Sequence, residues 1–449
     1  MRLFRIGGLA SFALVGLLAL ASGPPPRPLE LAAPSAAVQL GIVATRSTTS
    51  LVRLNPVSLK RTGRALDLKG YAGVWAFAPD RRRVALGVRV RSQDSQETLR
   101  FYSVAGPRRA GRGVPLGGSA AALAWLRQDR ILAYVNECCA NPNGASSVLA
   151  IDAGARRVVA RAPIDGTVLQ VARTRDSLVL LVGPTNRIGP SRLEVFDADG
   201  ARRSAELDDL IAGSTWPNEE AGAPVGTRLI PGLAIDATGR RAFVVSPSGL
   251  VADVDLGSLV ASYHRWIEHT STLDRFAGWL TPTAEAKGIN GPALTARWLG
   301  GGFIAVTGSG ETAALENGNL RVSSRPLGLR IVDVRDWTAR MLDAGADMFA
   351  VSDGVLLARG ASWDSEPQSE SGMGLAAYGA DRARRFQVFP GQPVWIGLVY
   401  RGRAYVSLSG AQTALRIVDL ASGRLVGTRR SAAPWPLLDD YARSAAGLS

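Results

Sequence analysis

The stretch Trp75–Val88, WAFAPDRRRVALGV, limits the possible folds more than any other feature of this chain. An apolar strand holding Trp75 and Phe77 meets a polar turn at Pro79-Asp80-Arg81, and a second strand, Val84-Ala85-Leu86, returns. Turn residues between short apolar runs signal a hairpin. The same event recurs at Leu123–Val135, Gln170–Val182, Leu233–Val245, Arg297–Val306, Met348–Ala358 and Gly397–Leu408. Every copy turns on Asp, Gly, Arg or Pro, the residues that tight turns select.

A second hairpin type lies between these copies. It covers Leu51–Leu68, Leu99–Leu116, Ser147–Ile164, Ser191–Leu207, Gly249–Trp266, Gly328–Asp343, Gly374–Phe389 and Thr413–Arg430. Alternation in Leu329–Asp333 (LRIVD) and Leu415–Asp419 (LRIVD) reads as strand, and helical periodicity is poor throughout. Four strands in every ~45–50 residues describe the blades of an all-β propeller. One four-stranded antiparallel sheet cannot bury both faces alone, whereas radial stacking lets each face pack on a neighbour. Eight hairpins of the second type imply eight blades; seven, with one unit irregular, is the alternative. The first unit has a second strand at Leu40–Thr45 but no first strand, so the segment around Trp435–Leu438 is expected to supply it and close the ring.

The pattern of apolar strand, APD or DATG turn, paired arginines, apolar strand and then LRIVD-x-x-x-G-R-x-V resembles the bacterial YVTN and WD-repeat-like propeller superfamily. Leu415–Val426 (LRIVDLASGRLV) carries it most clearly and Leu233–Val245 next, within a resemblance running from about Gly41 to Arg430. It implies the fold and leaves activity open, because such rings host enzymes, binding modules and scaffolds alike.

Met1–Ala21 reads as an export signal, with Arg2 and Arg5 before apolar Ile6–Leu20 and an A-x-A site at Ala19–Ala21. An uncleaved membrane anchor is the alternative. Residues 22–38 form a Pro-rich linker, 39–440 the propeller and 441–449 a tail. With 46% hydrophobic residues the chain can bury a large core, which excludes wholesale disorder. Of 52 basic residues only Lys60, Lys69 and Lys287 are lysines. Such an arginine excess, with abundant Ala and Gly, fits a high-GC genome better than a specific nucleic-acid site; non-specific attraction to an anionic surface stays open.

The turns inside both hairpin types are short, and the connections between hairpins carry the length: Arg89–Glu97, Asn136–Ser146, Gly183–Pro190, Asp208–Thr227, Ile267–Gly291, Thr307–Pro326 and Gly360–Ser371. One bland face and one insertion-rich face are therefore expected, and binding residues belong on the second. Within Ile267–Gly291, Leu273, Phe276, Ala277 and Leu280 at helical spacing predict one short amphipathic helix.

Cys138 and Cys139 are the only cysteines and adjoin each other. In an oxidising compartment they could form a vicinal disulfide, stay as two thiols or pair between molecules. A vicinal disulfide on an eight-bladed propeller is similar to the quinoprotein alcohol dehydrogenases. The tryptophan-docking repeat of that family is missing, because Gly423 is followed by Arg-Leu-Val-Gly. His264 and His269 lie five apart, which suits no zinc pattern, so no metal and no cofactor is assigned. Asp197-Ala198-Asp199-Gly200 resembles a calcium-loop start but occupies a hairpin turn, and Gly300–Gly302 is another.

Trp75, Trp125, Trp298 and Trp395 are expected in the core. Trp216 beside Glu219 and Glu220, and Trp363 beside Asp364, Glu366 and Glu370, are candidate ligand contacts, together with Glu137. Aromatic rings with acids suit a sugar or a cation. The combined expectation is an exported, monomeric propeller acting as a non-catalytic binding module for a protein or a cell-wall saccharide. The alternative is a carboxylate-based or quinone-dependent enzyme at the propeller mouth.

Overall fold

The computed structural model describes residues 27–29, 31, 39–44, 49–90, 96–136, 145–215, 226–268, 291–316, 319–352, 354–365, 369–408, 414–430 and 435–436. These residues are strands and turns, with no helix among them. The helix expected within Ile267–Gly291 falls on 269–290, outside the described residues, as do the export signal and the tail.

The strands pair into eight antiparallel four-strand runs. The first is β1 (Leu40–Ala44), β2 (Thr49–Leu54) and β3 (Arg61–Asp67), joined on its inner side by β35 (Trp435–Pro436). The second is β4 (Tyr71–Phe77), β5 (Arg83–Arg89), β6 (Thr98–Ser103) and β7 (Val114–Pro115). The third is β8 (Ser119–Arg127), β9 (Arg130–Asn136), β10 (Ser146–Asp152) and β11 (Arg157–Ile164). The fourth is β12 (Thr167–Arg173), β13 (Ser177–Gly183), β14 (Ile188–Asp197) and β15 (Arg202–Ser214), with β16 (Arg228–Leu229) added at its edge. The fifth is β17 (Gly232–Ile235), β18 (Arg241–Val245), β19 (Leu250–Asp255) and β20 (Ala261–Arg265).

After β21 (Ile267–Glu268), the sixth run is β22 (Pro292–Gly300), β23 (Phe303–Glu316), β25 (Leu329–Asp333) and β26 (Thr338–Asp343), with β24 (Asn319–Pro326) folded back on β23. The seventh is β27 (Met348–Ser352), β28 (Val355–Asp364), β29 (Ser369–Tyr378) and β30 (Arg384–Val388). The eighth is β31 (Val394–Tyr400), β32 (Arg403–Leu408), β33 (Ala414–Asp419) and β34 (Leu425–Arg430). Pairing of β24 with β28 fuses the sixth and seventh runs into one ten-stranded sheet.

Side-chain alternation shows why these runs stack. Ile131 and Ala133 of β9, with Trp125 of β8, face Leu99 and Phe101 of the second run, while Leu132 and Tyr134 face Leu178, Leu180 and Phe196 of the fourth. Each strand thus needs two apolar faces, the demand of a sheet covered on both sides. Similar clusters join every run to the next, and one made of Val52, Leu54, Leu59, Leu398, Tyr400 and Tyr405 joins the eighth to the first. A fully buried side chain such as Leu132 contributes roughly 1.5–3 kcal/mol. The result is a β-propeller.

Tight turns are encoded locally. Asp236 Oδ1 accepts hydrogen bonds from the N–H groups of Arg240 and Arg241, and Asp197 Oδ1 accepts from those of Asp199 and Ala201, as in an ordinary turn. Gly300, Gly301 and Gly302 have φ of 87°, 58° and 83°, a run that side-chain-bearing residues rarely adopt. Two leucines from the Pro-rich segment also pack on the ring. Leu29 is buried among Leu299, Phe303 and Tyr378 with Leu31 beside it, and its N–H donates to the Ala380 carbonyl at 2.7 Å.

Candidate ligand-binding face

Antiparallel order puts the turns within hairpins at one end of each run and the connections between hairpins at the other. At the first end most links are a few residues, such as 78–82, 153–156 and 401–402, and the longest is 104–113 between β6 and β7. At the other end several excursions are themselves β structure. β23 and β24 form a ribbon paired from Ser309↔Pro326 to Glu316↔Asn319. β28 and β29 rise beside it as far as Asp364↔Ser369, past a bulge at Gly360/Ala361. The two ribbons join through Ser323↔Asp364 and Ser324↔Trp363. β14 and β15 extend likewise to Ile188↔Gly213, where β16 adds a strand.

The described residues of the seven excursions include eight acidic and four basic ones, in a chain whose formal charge is +14. This end of the molecule is therefore acidic against a basic remainder.

Of the residues singled out in the sequence, Trp363 and Asp364 are described; Glu137, Cys138, Cys139, Trp216, Glu219, Glu220 and Glu366 lie outside the described residues. Trp363 and Asp364 are successive on β28 and so face opposite sides of the ribbon. Trp363 is 43% exposed and lies directly across from exposed Glu370 on β29. Asp364 turns to the other side, where Arg321 of β24 donates to its two oxygens at 3.2 and 2.8 Å. The structure thus sets Trp363 and Glu370 together and commits Asp364 to a bidentate ion pair that locks the ribbons.

Three further groups at this end were not evident from the sequence. Asp347, in the connection from β26 to β27, packs largely out of solvent against the buried Arg359 of β28. Nη1 of Arg359 lies 3.1 Å from Oδ1 but off the N–H axis, and donates to Oδ2 at 3.3 Å; the Ala361 N–H donates to Oδ2 at 3.1 Å. Burial pushes the Asp347 carboxyl up and the Arg359 guanidinium down, because a dry site penalises both charges more than their attraction offsets. The Arg359 guanidinium also sits 4.4 Å from the ring centre of Trp395.

Trp395 is 48% exposed, a correction to its expected core position. On β31 the alternation sends Val394 into the core and leaves Trp395 outside, with Arg359 on its ring. Trp125 is buried as expected, and Trp75 and Trp298 are half-buried.

Glu97, at the end of the β5–β6 excursion, is the second group and a buried acid. Its carboxylate forms an ion pair with Arg89, whose Nε lies 3.0 Å from Oε1, and accepts hydrogen bonds from the Ser119 hydroxyl at 3.1 Å and the Ala120 N–H at 3.2 Å. Burial still pushes its carboxyl up. The third group is Arg228 of β16, paired with Glu311 of β23 at 2.8 Å, which ties the fourth run's excursion to the sixth's. One available signal was a lone arginine inside the apolar stretch VLLARG at 355–360. Among the described residues no three His, Cys, Asp or Glu side chains are placed to hold a metal ion. His264 stacks on Trp337 with ring centres 4.0 Å apart.

By its fold, then, the chain is a β-propeller with one face of built-up ribbons. No protein-family model matches it. No curated protein matches it either. Among solved structures it is similar to dihydro-heme d1 dehydrogenase NirN in complex with DHE, at TM-score 0.52 and 14% identity over 98% of this chain and 88% of that one. Apo AztD from Citrobacter koseri aligns at TM-score 0.45 and 9% identity, over 88% of this chain and 95% of that one. At such identity the NirN likeness concerns the fold alone.

Proposed function

We propose that the chain is an exported, monomeric, eight-bladed propeller of the YVTN and WD-repeat-like kind, and that it serves as a non-catalytic binding module through its ribbon-bearing face. The ligand is a cell-wall saccharide, held by stacking on exposed aromatic rings and by hydrogen bonds to neighbouring acids. The observation that carries this reading is the presentation of Trp363 across from Glu370 on a paired ribbon. A rigid aromatic platform with an adjacent acceptor recognises a sugar ring without ordering a loop first. The described acids at this end favour binding over catalysis. Glu97, Asp347, Asp364 and Glu311 are each held by an arginine, which suits a structural role for these four.

Titration with soluble muropeptides, followed by tryptophan emission, tests the reading. Trp363→Ala is expected to weaken binding at least about tenfold with the unfolding midpoint unchanged, in line with ~1.4 kcal/mol or more from one stacked ring. Affinity that survives the substitution, or turnover of the muropeptide, would refute it.

A further inference from the structure

The end of the ring opposite the ribbons has its own chemistry. On the second and third runs, residues 79–83, 104–113, 127–130 and 152–157 contain ten arginines and three aspartates. These segments touch. Arg83 donates to the Gln128 carbonyl at 3.0 Å, Gln128 donates to Asp80 at 2.6 Å, and the Arg156 guanidinium lies over the Phe101 ring at 5.8 Å. The turns of two adjacent runs therefore form one continuous surface.

The aspartates are taken up by neighbouring groups, although Asp129, and Asp199 of the fourth run, which pairs with Arg127 and Arg130, stay 60% exposed. Asp80 Oδ1 accepts from the Arg82 N–H, Asp152 Oδ1 accepts from those of Gly154 and Ala155, and Asp129 and Asp152 both pair with Arg130. Arg81, Arg82, Arg108, Arg109, Arg112 and Arg157 stay exposed around them. A genome-wide arginine bias would fall on both ends alike, yet the described residues of the excursions at the other end are net acidic, eight against four.

The N-terminal segment reaches the same end. The Leu29 N–H bonds to Ala380, and Arg382 donates to the Arg27 carbonyl at 3.3 Å, both in the turn between β29 and β30. The apolar stretch Ile6–Leu20 ends seven residues before Arg27, a separation of at most ~25 Å.

From this segregation of charge we propose that the arginine-rich turn end of the second and third runs docks on an anionic phospholipid surface, holding the acidic ribbon face away from the bilayer. Exposed arginines along the turns of these two runs meet headgroup phosphates, and each adds to attraction by the leaflet's negative potential. An apolar leader retained in the chain would tether the same end. Its contribution would be the same on neutral and anionic bilayers.

Co-sedimentation of the full chain with vesicles tests the proposal. Vesicles of phosphatidylcholine alone are compared with vesicles in which about one third is phosphatidylglycerol, at low and at about 0.5 M salt, where screening acts over only a few ångströms. Partition to the anionic vesicles is expected to exceed partition to neutral ones and to collapse with salt. Joint replacement Arg82→Glu, Arg108→Glu, Arg109→Glu and Arg112→Glu is expected to reduce it at least about a hundredfold. The four Arg→Gln changes should give a smaller loss in the same direction, and serve if the reversals do not fold. Muropeptide binding should survive both sets, so this proposal and the binding reading can fail separately. Equal partition to neutral vesicles, indifference to the substitutions, or tighter retention on duplex DNA at matched charge concentration would each overturn it.

Discussion

The ion pair between Asp347 and Arg359 provides a sharp test of how the propeller holds its ribbon end together. The Arg359 side chain is 5% exposed and that of Asp347 11%, so neither charge can turn to water when its partner is removed. Breaking a buried pair from one side costs about 3–5 kcal/mol, mostly the penalty of the stranded charge. Arg359→Met keeps the length and packing of the stem and leaves the Asp347 carboxylate alone. Asp347→Asn keeps an acceptor for the Ala361 N–H and strands the guanidinium. Each single change is expected to cost about 3–5 kcal/mol, whereas the double variant should cost no more than either, a coupling of at least about 2 kcal/mol.

Acidity supplies a second arm. The folded-state carboxyl is already raised by burial, and loss of Arg359 raises it further. The folded protein then takes up a proton at a higher pH than the unfolded chain, so stability rises as pH falls from neutral towards the unfolded value near 4. The penalty of Arg359→Met is therefore expected to be smaller at about pH 5 than at about pH 7.5. Urea unfolding of all four proteins at both pH values reads out the cycle. Additivity to within about 0.5 kcal/mol, or a penalty independent of pH, would refute this account.

Two other expectations follow from the strands and turns. The turn carboxyls of Asp152, Asp255 and Asp419 are held below the usual range, chiefly by hydrogen bonds from Ala155 and Ser258 and from Ser422. Their contribution should be complete above the unfolded value of about 3.9 and fade as pH falls through the lower folded values; an acid titration of the unfolding midpoint measures it, and Asp419→Asn should flatten that descent. At Gly87 a Cβ would come within 2.6 Å of Glu97 Oε2 and 2.9 Å of Val74 Cγ2, so Gly87→Ala should destabilise by about 1–3 kcal/mol in a denaturant titration, and an unchanged midpoint would contradict the packing.

How much of this was legible in the sequence depended on distance along the chain. The turn between β17 and β18 is written in five residues, with Asp236 binding the arginines that follow, and β33 with its turn is equally local. The ribbon of β23 and β24 is not legible as strand because 307–326 mixes Gly, Ser, Thr and charges without one apolar face, and such strands specify their register weakly. Its partner was no easier to find, since Ser324 and Trp363 are 39 residues apart. Asp347, Arg359 and Trp395 meet across two runs, and only the radial arrangement brings them together. The expectation that Trp395 is buried failed on the phase of alternation, which fold class does not determine. Leu29 was hidden by its prolines, which suggested a free extended segment.

The pairing of β35 with β1, Gly41↔Pro436 and Ile42↔Trp435, has a consequence for biosynthesis. The first sheet to be made lacks its innermost strand until residue 436 has been polymerised, so a bare row of amides and carbonyls stays open while seven further runs form. An unpaired β edge invites the matching segment of another nascent copy, and exchange of that segment would yield interlocked dimers. Overexpression, which crowds incomplete chains together, should therefore raise the share of swapped species, and slower synthesis should lower it.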